Sequence, residues 1–221
     1  MISQAIAIAY KDFQIESVKK SLFKSLIFMS AILVFLSSFV VIRDSKIRPM
    51  VGSLVVWLIL VYILFQTMNR SLAAEDDSGC WDALRLCPVS SRVIFLGKFI
   101  YNLSLVIVVE IVTLPFYAFF FNLGWTAVIM FIPILLTSAG FIAIGLLISL
   151  LSLKFQGREL LGNVMSLPLF LPGLFLGLRV TLDLAYGAEF GDIWGFLAYL
   201  ILFDLLAFAA AYYAFDTSLA E

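Results

Sequence analysis

Glu75, Asp76, Asp77 and Asp82 crowd one short stretch of the chain, together with Gly79, Trp81 and Leu84, and the stretch stops at Pro88. Carboxylates at such density suggest cation binding or acid–base work first. Neither has the rest of its machinery. The 221 residues include no histidine, the commonest general base and metal ligand. Cys80 and Cys87 share a helical face, but two thiols without further ligands make a poor tetrahedral zinc site. Gly97-Lys98 looks like the end of a phosphate loop, yet Arg92 stands where that motif needs its first glycine and Phe99 where it needs Ser or Thr. The chain is expected to hold no ATP, no metal and no other cofactor of its own. What the residue types do suit is docking. Acidic residues before and Arg85 near the end of a short helix, Cys80–Cys87, complement the helix dipole. Trp81 and Leu84 give it an apolar ridge, the pattern of a helix that enters a groove in another protein. The same residues would also suit a loop helix packed on its own bundle.

A second group of residues is isolated in oil. Glu110 lies in LVIVVEIVTLPF, where a carboxyl group is costly and must face the interior of a bundle. There it serves either as a relay or substrate contact, or as a protonated acid bonded to Thr113 or a neighbouring helix. Asp204 carries the same ambiguity, whereas Asp183 and Asp192 are expected in a solvated linker. Pro168 and Pro172, four apart with Gly162, Gly173 and Gly177 around them, predict a broken or re-entrant helix, because proline removes a hydrogen bond and clashes with the preceding turn. Asn163, Ser166, Gly140 and Gly145 read as helix-packing positions.

The elements that must carry these residues are membrane helices. The chain is 63% hydrophobic and 13% charged, with mean hydropathy +1.11, where soluble domains run roughly 45–50% apolar and about 25% charged. A net charge of −1 offers nothing to nucleic acid. Six apolar runs are long enough to span: Leu22–Ile42, Val51–Met68, Phe99–Phe121, Ala127–Leu153, Leu160–Leu178 and Ile193–Phe215. Before them, Ile2, Ile6, Ala9, Tyr10, Phe13 and Val18 recur at helical spacing among charges, so residues 1–20 predict an amphipathic helix lying in the membrane interface, or equally an ordinary helix continuing into the first span. Residues 69–98 form a polar loop holding eight of the 29 charged residues. Lysine and arginine counts give the orientation. With the N-terminus inside, the inner segments hold ten and the outer ones four, which puts both termini and the polar loop in the cytoplasm. The expected class is an all-α polytopic membrane protein in one domain, residues 1–221, with a cytoplasmic helix between spans two and three.

This arrangement resembles the permease of type-II ABC exporters, and more narrowly the CcmB family, the permease subunit of cytochrome c maturation. The residues that carry the resemblance are Arg70, Glu75-Asp76-Asp77, Gly79, Leu84, Pro88 and Gly97-Lys98, together with LLGNVMSLPLFLPGLFLG (Leu160–Gly177). Cys80-Trp81 departs from the small or polar residues usual there. The resemblance implies a non-enzymatic subunit of a prokaryotic inner membrane. Its implied partners are a CcmA-like ATPase that carries ATP and Mg, CcmC-like and CcmD-like membrane subunits and a CcmE-like haem chaperone, with two permease copies per complex as one arrangement. It also makes Glu75–Pro88 a coupling helix for the ATPase, with Trp81 and Asp82 inside it. Haem belongs to the wider complex, since this chain lacks a conventional axial ligand and retains only Met165 and the cysteines. Export of a lipid, drug or polysaccharide, and proton-linked transport through Glu110, are the rival expectations.

Overall fold

Hydrogen-bonding inside each segment is the only way to carry a backbone through hydrocarbon without a closed barrel, and the apolar runs form helices accordingly. The computed structural model describes residues 2–19, 21–41, 47–71, 89–122, 126–152 and 158–218. Among them are seven helices and no strand: α1 Ile2–Lys19, α2 Ser21–Val41, α3 Arg48–Ser71, α4 Ser91–Phe121, α5 Thr126–Ser152, α6 Arg158–Ala185 and α7 Phe190–Ser218. Six of these, α2 to α7, are long and apolar enough to cross a bilayer. The protein is an all-α polytopic membrane protein.

α5 is the central post. It packs against α3, α4, α6 and α7, and 67% of its apolar window is buried, against 22% for α2 and for α7, which lie at the edges. Small residues let its neighbours come close. Gly145 of α5 lies under Met68 of α3, and Gly177 of α6 under the Trp57 ring of α3. The Trp57 indole N–H donates to Thr181 Oγ1 of α6 at 2.8 Å, so the ring's polar edge is satisfied inside the bundle. Phe141, Phe170 and Phe65 stack across α5, α6 and α3, with centroids 4.4 and 6.0 Å apart.

Several helices differ from their sequence expectation. α6 runs unbroken through Pro168 and Pro172, so the expected break or re-entrant bend is not present. Both proline rings lie on the outward surface, so the lost hydrogen bonds fall on that side of the helix. α6 also continues to Ala185, which puts Asp183 in its last turns, paired with Arg179 at 3.1 Å, rather than in a linker. α4 begins eight residues before the expected Phe99, and α3 reaches Ser71, so both flanking helices extend into the polar segment. At its other end α4 closes on Asn122 in the left-handed conformation, whose N–H bonds back to Ala118. Asparagine is among the few side chains that adopt this conformation readily.

α1 also packs by a different face from the one its apolar periodicity suggests. Ala5, Ala9 and Asp12 are buried, whereas Ile2, Ile6, Tyr10, Phe13 and Val18 point outward. Of the expected stripe only Ala9 is fully buried. Ala5, Ile8, Ala9 and Asp12 face the bundle, and most of the other bulky apolar residues are left for lipid.

Candidate functional site

The first dozen residues of α4 are the most densely tied polar region in the described structure. At 1.5 Å per residue, the 31 residues of α4 extend about 46 Å, well beyond the roughly 30 Å of a hydrocarbon core. The excess falls at the polar end, which carries Arg92, Lys98 and Asn102. This head of α4 stands at the membrane surface.

One side of the head is gripped by α1. Gly97 gives the approach: a Cβ built there would lie 2.7 Å from Ile8 Cβ and 3.0 Å from the Ala5 carbonyl, so only glycine lets α1 settle at this depth. One residue on, Lys98 Nζ meets Asp12 Oδ2 at 2.8 Å, with the two side chains 2% and 8% exposed. Lys11 reaches the other Asp12 oxygen at 3.3 Å, and the Asn102 amide donates to the Lys98 carbonyl at 2.8 Å. A buried cation here has its countercharge beside it, as burial demands. The Gly97-Lys98 pair therefore has a defined task, which is to seat the N-terminal helix. α1 in turn caps the first span: Glu16 Oε1 accepts from the amides of Leu22 and Phe23 at 2.9 and 3.1 Å, satisfying donors that a helix start leaves open.

The other side is gripped by the end of α7. Arg92 Nη2 donates to Asp216 and the guanidinium lies 5.4 Å above the Tyr212 ring. Beneath them the buried Phe95 ring is enclosed by Phe208, Tyr212 and Phe215, at centroid distances of 5.3, 6.1 and 5.2 Å. Edge-on and tilted aromatic contacts of this kind add to plain burial. The N-terminal helix, the head of α4 and the C-terminal end of α7 thus meet on one face of the membrane.

The residues expected to dock a partner, Glu75, Asp76, Asp77, Gly79, Trp81, Asp82, Leu84 and Pro88, lie outside the described residues, as does the Cys80–Cys87 helix. Their tethers are described: Ser71 ends α3, and Ser91 starts the head of α4 after Ser90.

The intramembrane candidates separate. Glu110 is 5% exposed and faces the interior, as its setting requires. The bond expected to Thr113 or a neighbouring helix is not made among the described residues; Thr113 Oγ1 donates instead to the Val109 carbonyl at 2.7 Å. Neither carboxyl oxygen of Glu110 has a hydrogen-bond partner among the described residues, and the same holds for Asp204, whose carboxyl group packs on Gly140 of α5. Pro168 and Pro172 lie far along the chain in α6 and face outward. Sequence reasoning missed Asp12, Lys98, Arg92, Asp216 and Phe95 as site residues. The available signal was a lysine and an arginine at the start of an apolar run with no acid nearby in sequence.

No curated protein matches the sequence significantly. The family model described as CcmB protein matches residues 3–221. Together with six spanning helices and the surface head of α4, that match places the chain in the CcmB family, the ABC-type membrane permeases of cytochrome c maturation.

Proposed function

We propose that this permease converts the nucleotide-driven stroke of a separate, CcmA-like ATPase into movement of its own spans, using residues 72–88 as the handle. The observation that carries this reading is the double grip on the head of α4. A push on residues 72–88 reaches α3 at Ser71 and α4 at Ser91. From the head of α4 it passes to α1 through Asp12–Lys98 and to α7 through Arg92–Asp216 and the Phe95 cluster. Packed elements pass on discrete shifts because a filled core does not deform continuously.

The ten-to-four excess of lysine and arginine supports a cytoplasmic position for that face, where the ATPase resides. In the handle, Asp82 and the acidic run Glu75–Asp77 supply charge, Trp81 and Leu84 supply apolar grip, and Gly79 and Pro88 lie in the same stretch of sequence. At the far side of the bundle, Pro168 and Pro172 thin the hydrogen-bond ladder of α6 and make it the span that yields. ATP and magnesium sit on the partner. The wider complex adds CcmC-like and CcmD-like subunits and a CcmE-like haem chaperone, and the absence of histidine, the usual axial ligand, supports a release role for this chain rather than iron ligation.

The test is Asp82→Lys or Leu84→Ala in the assembled complex. Both variants should insert normally, while ATP hydrolysis loses its dependence on the permease and cytochrome c maturation falls. Normal maturation with coupled hydrolysis in both variants would overturn the reading.

A further inference from the structure

Beside the head of α4, where α1 leads into the first span, lies a recess that the coupling reading leaves without a role. It holds about 370 Å³ of free space between α1, α2 and α4, within the roughly 300–1,000 Å³ of ligand pockets. Its polar lining gathers at the membrane surface. Glu16 and Ser17 come from the end of α1, Lys24 from the first turn of α2 and Tyr101 from the turn of α4 that follows Lys98. Leu105 and Val108 carry the wall about 10 Å further along α4 into the apolar part of the span. Phe13 and Phe23 complete the lining. Phe13, Lys24 and Val108 are exposed, so the recess opens outward to lipid. It is polar at the interface and apolar below, which is the order of groups in a phospholipid.

The two charges of the lining are not spent on each other. Among the described residues neither Glu16 nor Lys24 forms an ion pair. Glu16 uses Oε1 on the amides of Leu22 and Phe23 and has Oε2 left to accept. Ser17 Oγ donates to the Gln14 carbonyl and keeps its lone pairs. An occupant that satisfies this lining carries an anion for Lys24, a cation with N–H groups for Glu16 and Ser17, and an apolar tail. We propose that the recess binds one phospholipid with a zwitterionic, primary-ammonium head, a phosphatidylethanolamine. Its phosphate meets Lys24 and accepts from the Tyr101 hydroxyl, and its ammonium donates to Glu16 and Ser17. Such charge-assisted bonds are the strong ones. One acyl chain follows Leu105 and Val108. A phosphatidylglycerol would set an anion beside Glu16 with no cation to offset it, and a choline head has no N–H to donate. The bound lipid fills the gap between α1 and the first span, whether or not residues 72–88 meet an ATPase.

The experiment is native mass spectrometry of the full-length chain, equilibrated with equal amounts of phosphatidylethanolamine, phosphatidylcholine and phosphatidylglycerol of matched acyl chains. The expected result is one retained lipid per chain, with the ethanolamine lipid favoured over each of the others by about tenfold, the size of one charge-assisted hydrogen bond. Glu16→Gln keeps a carbonyl oxygen for the Leu22 and Phe23 amides and should abolish the preference over phosphatidylglycerol. Lys24→Gln should lower retention of the ethanolamine lipid, and Lys24→Arg, which keeps the cation, should retain it. Equal retention of the three lipids, or a preference that neither Glu16→Gln nor Lys24→Gln alters, would overturn the proposal. The purified complex with its partner subunits should carry the same lipid. Its absence there would mean that a partner's helix fills the recess, and would overturn the proposal as well.

Discussion

Two stretches of the same helix treat charge in opposite ways. In the head of α4, Arg92 and Lys98 each meet an acid from a different helix, and the cation of Lys98 is buried against Asp12. About three turns further along, Glu110 is just as deeply buried and meets no partner among the described residues. The head has been built to hold neighbours in place, since a buried pair fixes which surfaces face each other. The middle has not been built to hold anything, because an unpaired acid contributes no grip and costs stability unless neutral. A position that keeps an ionisable group without using it for packing is one that can change state. The comparison therefore separates a tied polar region at the membrane surface from an untied one in the core.

The largest expected effect that could break this contrast is at Lys98. Lys98→Ala removes the buried partner of Asp12 but leaves Lys11 on its other oxygen, so it should cost about 3 kcal/mol, the lower end for a broken buried pair. Denaturant unfolding in detergent checks it, and the exchange of Asp12→Lys with Lys98→Asp should recover part of the loss. Next comes Gly97→Val, whose side chain collides with Ile8 and Ala5. Overpacking of this kind costs about 1–3 kcal/mol, and crosslinking between α1 and α4 should fall with it. Arg92→Ala should lower the unfolding midpoint less than either, because its pair with Asp216 is 39% exposed on both sides and screened by solvent. Glu110→Leu marks the other pole: stability should stay within about 1 kcal/mol of the parent or rise, since an apolar replacement of an unpaired polar group is near neutral. A loss there as large as that of Lys98→Ala would mean that Glu110 is a structural partner, and the contrast would fail.

The glycines sharpen the same picture. Gly145 under Met68 and Gly177 under Trp57 bring helices together in the core, as Gly97 does at the surface. The first two serve the spans alone. Gly97 serves a helix that does not span, and for that reason its role in Gly97-Lys98 could not be read from hydropathy.

The sequence legibly encoded every spanning helix, with ends that moved by a few residues. Its largest boundary error was at the head of α4, where Arg92 and Lys98 made a continuing helix look like loop. The proline pair misled in a similar way. Pro168 and Pro172 predict a break in isolation, yet α6 passes through both. Each proline removes one hydrogen bond from the ladder, and the remaining bonds of the 28-residue helix carry it through both. Glu110 was correctly placed in the interior, but its neighbour Thr113 turned out to be committed to its own helix. Of the handle residues Glu75 to Pro88, chain position and chemistry are the whole of what supports their role.

By itself, the sequence determined that this protein is a bundle of six spanning helices preceded by an amphipathic one. Apolar length is a local property, and lipid forces each such run to satisfy its own backbone. Only the tertiary structure decided that Asp12 belongs to Lys98, that Asp216 belongs to Arg92 and that Glu110 belongs to nothing. The choice of neighbour among membrane helices depends on close packing between side chains, and lipid tails are as apolar as leucine. Hydrophobicity, the strongest signal in this chain, therefore carries no information about which helix lies beside which.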